Sequence, residues 1–293
     1  MKKPNTFIIG APKCGTTSLA RWLAEHPQVF FSNPKEPHYF NTDFGPKKYE
    51  SIGEYERLFS RANDNHRAVC EGTVRYLYSK DAVPNIIEYA ENPKFIVMTR
   101  DPVAMATSLH NQTIFNGDED KIDFETAWRR QRSRESGCQI PKACRDPQLL
   151  QYGELCKLGK QMERLLEQVS ASSVHVIPLE HLQKNPASEW KRVLEFLELD
   201  DDGRTSFPAE NTSKKRRFKW AWWALETANR TAKKLNIPPI RLGLTQVAHK
   251  RLSKPHSRPP LNSATRADLE RFFAEDQALL RRIMKQEFGR DLP

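Results

Sequence analysis

The stretch Gly10–Leu19, GAPKCGTTSL, decides the fold of this chain. It follows an apolar run at residues 6–9, which is typical of a buried strand, and it leads into an amphipathic pattern at residues 18–26, which is typical of a helix. A glycine loop between a strand and a helix directs its backbone N–H groups and the helix N-terminus at one anion. The stretch therefore predicts a phosphate-binding loop at the end of the first strand.

The position of the lysine separates this loop from that of nucleotide triphosphatases. In a loop of the form G-x-x-x-x-G-K-[ST], the lysine follows the second glycine directly. Here Thr16 stands at that position, and Lys13 lies inside the loop. We expect the loop residues that follow Lys13 to bind the same anion through amides and hydroxyls: Cys14, Gly15, Thr16, Thr17 and Ser18. The alternative is an ordinary strand-to-helix turn with a solvated lysine.

Length and composition predict a soluble globular protein with one large domain or two small ones, and we favour one domain over residues 1–293. Hydrophobic residues make up 38% of the chain and charged residues 29%, and there is no apolar run of the roughly 18 residues that a membrane span needs. The N-terminus runs almost at once into the first strand, so we expect no signal peptide. Five cysteines without a CxxC pair indicate reduced thiols, a cytoplasmic location and no zinc site.

The positive charge is concentrated in one segment. The chain has a net charge of +10, and residues 214–258 hold thirteen Lys or Arg and one acidic residue. We interpret residues 218–257 as a basic, Trp-containing insertion before the C-terminal helix, with a helical pattern whose polar face is basic. Three hypotheses follow: packing on the domain, peripheral contact with an anionic membrane surface, or docking of an anionic acceptor. We do not expect nucleic acid as a partner.

Short apolar strand patterns alternate with helical patterns along the chain, which predicts a central parallel sheet flanked by helices. We predict strands at Thr6–Ile9, Val29–Phe31, Ala68–Cys70, Phe95–Thr99 and Val174–Ile177. We predict helices at Thr17–Glu25, Ala82–Tyr89, Val103–Thr113, Phe124–Ser133, Gln148–Val169, Pro186–Leu197 and Ser263–Glu287. Ligands of such sheets bind outside the carboxyl ends of the strands. The loops that follow the first four strands should therefore meet in one crevice.

Three motifs in these loops resemble those of carbohydrate sulfotransferases, including heparan sulfate enzymes, which use 3′-phosphoadenosine 5′-phosphosulfate (PAPS). The first is the loop with Lys13 inside it, and the second is Glu36-Pro37-His38-Tyr39-Phe40 after the second strand. The third is Arg100 after the fourth strand with Ser108 in the next helix. The resemblance runs in order from Phe7 to about Arg217 and resumes in the C-terminal helix.

The resemblance implies a nucleotide-binding, P-loop-like fold and transfer of a sulfuryl group from PAPS to a hydroxyl of a carbohydrate or glycolipid, without a metal. Glu36 would be the general base, and Lys13 would act on both the 5′-phosphate and the moving group. Arg100 and Ser108 would bind the 3′-phosphate, and Lys214 and Arg216 would close over the nucleotide. Three alternatives stay open: Glu36 is solvated in a turn, His38 is the base, or the charged run at 214–217 is merely solvated.

The chain departs from this family at the third strand, where Gly72 stands in place of a lysine. A second catalytic cation is then missing, or another residue such as Lys35 supplies it. Two further functions remain alternatives: a nucleotide or sugar kinase on a related fold, and a non-catalytic protein that binds membrane surfaces or polyanions. A kinase of this kind would place a lysine at position 16 and use a Mg²⁺-binding aspartate, and we identify neither. The acceptor and the oligomeric state are not predicted.

Overall fold

The computed structural model describes residues 2–45, 48–209, 214–216, 253–255 and 261–292. The chain divides into two compact units, the first formed by residues 1–210 with 261–293 and the second by residues 211–260. The prediction of one domain with an insertion at 218–257 therefore stays a prediction.

The first unit is built on a five-stranded parallel sheet, which confirms the predicted α/β fold. Its strands are β1 (Thr6–Gly10), β2 (Val29–Phe31), β3 (Ala68–Gly72), β4 (Lys94–Thr99) and β5 (Val174–Pro178). They lie in the order β2-β3-β1-β4-β5, and all pairs are parallel. Every residue of the central strand β1 is buried, because helices cover both faces of such a sheet.

Helices connect and cover the strands. They are α1 (Thr16–Ala24), α2 (Ile52–Glu56), α3 (Ala82–Tyr89), α4 (Pro102–Asn116), α5 (Phe124–Arg129), α6 (Gln131–Glu135), α7 (Tyr152–Leu155), α8 (Leu158–Leu166), α9 (Leu179–Lys184), α10 (Pro186–Leu197) and α11 (Ser263–Phe288). The short helices α2 and α9 were not predicted. No helix in the described part of the chain is long and apolar enough to cross a membrane.

The predicted continuous helix Gln148–Val169 is wrong. The segment folds as a short 3₁₀ turn followed by α7 and α8, and the chain leaves helical geometry at Lys157. The cause is a contact from the C-terminal helix, since the Asp276 carboxylate accepts hydrogen bonds from the Gly159 and Lys160 amides, each at 2.9 Å. This buried acceptor provides a new helix start for α8 that a local sequence pattern does not reveal.

The predicted helix Phe124–Ser133 is also divided, into α5 and α6, with Arg130 between them.

In the second unit the structure describes two short strands, β6 (Lys214–Arg216) and β7 (Ser253–Pro255). They pair in antiparallel fashion, with Lys215 opposite Lys254.

The loops after the first four strands meet at the carboxyl edge of the sheet, as predicted. Just beyond β1, the Ala11 amide donates to the Met98 carbonyl of β4 at 2.8 Å. Beyond β2, the Glu36 amide donates to the Gly72 carbonyl at the end of β3 at 3.0 Å. These bonds join residues that are distant in sequence at one edge of the sheet.

Candidate functional site

The phosphate loop, residues 10–18, has the backbone shape that its two glycines allow. Gly15 has a φ of +89°, and a Cβ placed there would come within 2.7 Å of Leu179 Cδ1. A Cβ at Gly10 would come within 2.8 Å of Leu77 Cβ. Both positions therefore exclude larger residues, Gly15 by conformation and space and Gly10 by space alone.

Lys13 is held at the mouth of the phosphate loop by residues of another strand connection. Its Nζ donates to Gln112 Oε1 at 3.2 Å, and Gln112 Nε2 donates to Asn116 Oδ1 at 2.9 Å. Arg100 Nη1 donates to the Lys13 carbonyl oxygen at 3.0 Å. The structure thus joins Lys13 and Arg100. Sequence reasoning missed Gln112, although it lies one helical turn beyond Ser108 on α4.

The remaining residues of the phosphate loop differ in how far their side chains are buried. Cys14, Thr16 and Ser18 are buried, whereas Thr17 is half-buried. The Cys14 thiol donates to the Pro12 carbonyl at 3.5 Å, and burial raises the pKa of this thiol against the opposing charges of Arg100 and Lys13. Cys14 is therefore suited to bind an anion through its backbone amide and not through its buried thiol. The N-cap of α1 is Gly15, so no side chain caps the first helical turn.

The segment after β4 combines a helix start with a cation. The Asp101 carboxylate accepts the Ala104 amide at 2.7 Å, and Pro102 occupies the first helical position, one residue before the predicted start at Val103. Arg100 lies directly before this cap, and its guanidinium reaches the phosphate loop. Ser108, on α4, is buried.

Glu36 lies among cationic groups and not in open solvent. Its Oε1 is 3.1 Å from Lys35 Nζ, its Oε2 is 3.5 Å from His38 Nε2, and its carbonyl accepts Lys48 Nζ at 2.5 Å. The side chain of Glu36 is 34% exposed and that of His38 is 6% exposed. The carboxylate is therefore fixed by neighbours but open on one side.

Electrostatics separate the two candidate bases. Burial acts to raise the pKa of Glu36, but the hydrogen bond from His38 and the charge of Lys35 outweigh it and hold this pKa well below its usual range. Burial lowers the pKa of His38, although the Glu36 carboxylate partly opposes that effect. At neutral pH Glu36 is an ionised acceptor, and His38 is a neutral ring packed beside it.

The space that a side chain at Gly72 would occupy is already filled. A Cβ at this position would lie 3.0 Å from Phe31 Cζ and 3.5 Å from Lys35 Cε. Lys35 therefore runs past Gly72 and brings its amine to Glu36. A further cation, Arg75, was not predicted; burial lowers its pKa, and the Glu36 charge is the foremost opposing influence.

Lys214 and Arg216 belong to β6, for which the structure gives only the backbone course. Apart from β7, the insertion at 218–257 lies outside the described residues. The nucleotide-closing role of Lys214 and Arg216 and the three hypotheses for the insertion stay predictions. Within the described ranges, no group of three His, Cys, Asp or Glu residues is arranged to hold a metal ion.

Comparisons with known proteins agree with this architecture. A mouse heparan sulfate glucosamine 3-O-sulfotransferase 3A1 is 30% identical over 196 residues, which are 67% of this chain and 46% of that protein. The membrane-associated sulfotransferase kil1 of Dictyostelium discoideum is 31% identical over 113 residues, 38% of this chain and 23% of that protein. The chain thus spans less than half the length of these curated relatives.

A solved structure has a similar fold. The sulfotransferase from Alicyclobacillus acidocaldarius superposes with a TM-score of 0.70 at 22% identity, covering 100% of this chain and 98% of that one. The family model of the sulfotransferase domain matches residues 3–224, a range that includes the phosphate loop, Glu36 and Arg100. With most of its length matched, this chain belongs to the sulfotransferase domain family.

Proposed function

We propose that this chain transfers a sulfuryl group from PAPS to a hydroxyl of a carbohydrate or glycolipid acceptor. The observation that carries the proposal is the meeting of the Lys13 loop, Arg100 and the ionised Glu36 at one edge of the sheet. Sulfuryl transfer needs bound phosphates, a cation near the reacting centre and a base for the acceptor hydroxyl. This edge holds a candidate for each of them.

The phosphate loop fits the 5′-phosphosulfate end of such a donor. Gly15 leaves the first turn of α1 without a side-chain cap, so its amides and the hydroxyls of Thr16, Thr17 and Ser18 are suited to an anion. Lys13 adds the positive charge inside the loop. PAPS supplies the activated sulfuryl group when bound, and Lys13 stabilises negative charge on the oxygens beside it.

Arg100 and Ser108 fit the 3′-phosphate of the donor. A guanidinium offers a permanently charged, forked set of donors that matches a phosphate. The bond from Arg100 to the Lys13 carbonyl fixes one end of this fork and aims the residue at the phosphate loop. Ser108 would add a hydroxyl from α4.

Glu36 would accept the proton of the acceptor hydroxyl. Its low pKa keeps the carboxylate ionised, and its partial exposure leaves one side open to an incoming hydroxyl. Lys35 and His38 hold the two carboxylate oxygens and set their direction. Lys35 also supplies a cation on the side where Gly72 has no side chain.

The class of acceptor rests on the relatives. The mouse relative acts, by its name, on the glucosamine of heparan sulfate, and a carbohydrate acceptor for this chain is proposed from that similarity. The similarity to a membrane-associated sulfotransferase supports the hypothesis that the cytoplasmic protein we predict associates peripherally with a membrane. Membership of the sulfotransferase domain family speaks against the kinase alternative.

The proposed function is tested by following the transfer of a labelled sulfuryl group. Purified protein is incubated with isotopically labelled PAPS and a panel of heparan sulfate oligosaccharides, neutral glycans and glycolipids, and each acceptor is analysed by mass spectrometry. We expect label on at least one acceptor, and thermal stabilisation by the desulfonated nucleotide but not by ATP with Mg²⁺. The proposal would be contradicted if ATP with Mg²⁺ stabilised the protein, the desulfonated nucleotide did not, and no acceptor became labelled.

A further inference from the structure

A fully buried carboxylate lies behind the loop that carries Glu36. Glu71, in β3, has 0% exposure, and three hydroxyls donate to it. Thr73 Oγ1 lies 2.6 Å from Oε1, and Tyr55 and Tyr76 hydroxyls lie 2.8 Å and 3.2 Å from Oε2. Burial raises the pKa of Glu71 to about 7, and the three hydrogen bonds limit the rise.

Two of these hydroxyls also bind the backbone of the Glu36 loop, which we define as residues 35–40. The Tyr76 hydroxyl accepts the Tyr39 amide at 3.1 Å and the Phe40 amide at 3.3 Å. Thr73 Oγ1 accepts the His38 amide at 3.4 Å. Three consecutive amides that follow Glu36 therefore end on hydroxyls that donate their own protons to Glu71.

The direction of these bonds follows from the number of protons. A hydroxyl has one proton to donate and two lone pairs that accept. When Glu71 takes the proton of Tyr76, both lone pairs of that hydroxyl face the amides of Tyr39 and Phe40. If a hydrogen-bond donor stood in place of the Glu71 carboxylate, the hydroxyl protons of Tyr76 and Thr73 would point towards the Glu36 loop. These protons would then face the loop amides, and buried donors that face each other are costly.

We propose that Glu71 is a positioning residue for the reaction: by accepting the Thr73 and Tyr76 protons, it orients the hydroxyls that fix the Glu36 loop. The proposal rests on the proposed function, in which Glu36 is the base. Glu71 touches neither acceptor nor donor in this role. It acts through the loop, and its loss would move the Glu36 carboxylate from the productive position.

Tyr55 provides a matched control in the same network. It donates to the same carboxylate oxygen as Tyr76 and is equally buried, but its hydroxyl binds no amide of the Glu36 loop in the described part of the chain. The variants Tyr76→Phe and Tyr55→Phe each remove one hydroxyl next to Glu71. Of these two variants, only Tyr76→Phe removes a hydroxyl that accepts hydrogen bonds from the loop amides.

The experiment measures the loop directly and then the reaction. In hydrogen exchange followed by mass spectrometry, we expect peptides covering residues 37–40 to exchange about tenfold faster in Tyr76→Phe and in Glu71→Gln, and to be unchanged in Tyr55→Phe. We expect kcat to fall about 10–100-fold in the first two variants, with an unchanged Kd for the desulfonated nucleotide, since misplacement of a reacting group acts on rate. Thr73→Val, measured alongside, should accelerate exchange at His38 mainly.

Two outcomes would overturn the proposal: wild-type exchange and kcat in either Tyr76→Phe or Glu71→Gln, or an equal loss in Tyr55→Phe. Should Glu71→Gln fail to fold, Tyr76→Phe and Tyr55→Phe still decide it. Glu36→Gln, assayed in parallel, separates a failure of the positioning role of Glu71 from a failure of the base assignment. Full activity of Glu36→Gln would refute the base assignment, whereas an inactive Glu36→Gln beside a fully active Tyr76→Phe would refute the positioning role alone.

Discussion

The phosphate loop and the Glu36 loop lie at the same edge of the sheet, but different forces hold them. The phosphate loop takes its shape from glycine geometry and a helix start, so its donors are mostly backbone groups. The Glu36 loop is held from outside, by two hydroxyls that accept three of its amides and by Lys35 and His38 on its carboxylate. Anion binding is therefore a local property of this chain, whereas the base depends on residues that β3 and its loop bring to it.

This difference predicts which measured quantity each loop controls. Residues of the phosphate loop should affect nucleotide affinity together with rate. Residues of the Glu36 loop should affect rate and its pH dependence and leave nucleotide affinity unchanged.

The largest effect is expected at Glu36. Glu36→Gln keeps the size of the side chain and removes the proton acceptor, so we expect kcat to fall about 10²–10⁴-fold with an unchanged Kd for the desulfonated nucleotide. Steady-state kinetics and calorimetry measure the two quantities. An active Glu36→Gln beside an inactive His38→Ala would assign the base to His38 and remove the distinction between the loops.

Lys13 is expected to act on both quantities. Lys13→Ala removes a charge placed beside the reacting oxygens, which costs about 3–4 kcal/mol of transition-state stabilisation, or roughly 10²–10³-fold in rate. The same variant should weaken nucleotide binding. Gln112→Ala is the matched control, because it removes the partner of Lys13 Nζ but leaves the charge, and its effect should be smaller. Near-wild-type turnover of Lys13→Ala would refute the role.

Arg100 should distinguish nucleotides by their 3′-phosphate. The loss of a charge-assisted pair costs about 1.5–3 kcal/mol, so Arg100→Ala should weaken binding of the 3′-phosphorylated nucleotide and barely change binding of the nucleotide without that phosphate. Calorimetry with both ligands tests this. An equal loss for both would mean that Arg100 acts through its bond to the Lys13 carbonyl and not on the 3′-phosphate.

His38 should set the pKa of Glu36. The pKa of Glu36 is held well below its usual range, whereas that of Glu71 is about 7, so below pH 7 the wild-type kcat should fall with protonation of Glu71 and not of Glu36. His38→Ala removes a hydrogen bond that favours the Glu36 carboxylate, while Lys35, Lys48 and Arg75 remain. In this variant the pKa of Glu36 should rise, which a nuclear magnetic resonance titration of the Glu36 carboxyl carbon measures. Coincident titration curves of His38→Ala and the wild type would refute this coupling.

The same distinction explains what the sequence could predict. The phosphate loop and the five strands follow from patterns within a few residues, and the structure confirms the strands. The division at Lys157 depends on Asp276, more than a hundred residues away, and the hydrogen bond from Lys13 to Gln112 joins residues that are 99 positions apart. Such long-range side-chain pairs have no periodic signature.

Glu71 shows the same limit inside the site. Its place at the end of the third strand puts it near the crevice, but its partners Tyr55 and Tyr76 come from different segments. The resemblance to a family with a lysine at this position points to a missing cation, and the Lys35 side chain runs past Gly72 within van der Waals distance of a Cβ placed there.

The smallest effect is expected at Gly72. A Cβ there would press on Phe31 Cζ at 3.0 Å and make ordinary contact with Lys35 Cε at 3.5 Å, so Gly72→Ala should shift Phe31 and disturb the Lys35 side chain only slightly. We expect kcat to fall by less than about tenfold and the nucleotide Kd to stay unchanged, with a destabilisation of about 1–3 kcal/mol from overpacking. Gly53→Ala in α2 is the control, since a Cβ there meets nothing within 4 Å and alanine favours a helix. Gly72→Lys should likewise lower kcat, because its side chain would compete with Lys35 for one space. A Gly72→Lys variant that is faster than the wild type would show that the place of the second cation is vacant, and that Lys35 does not act beside Glu36.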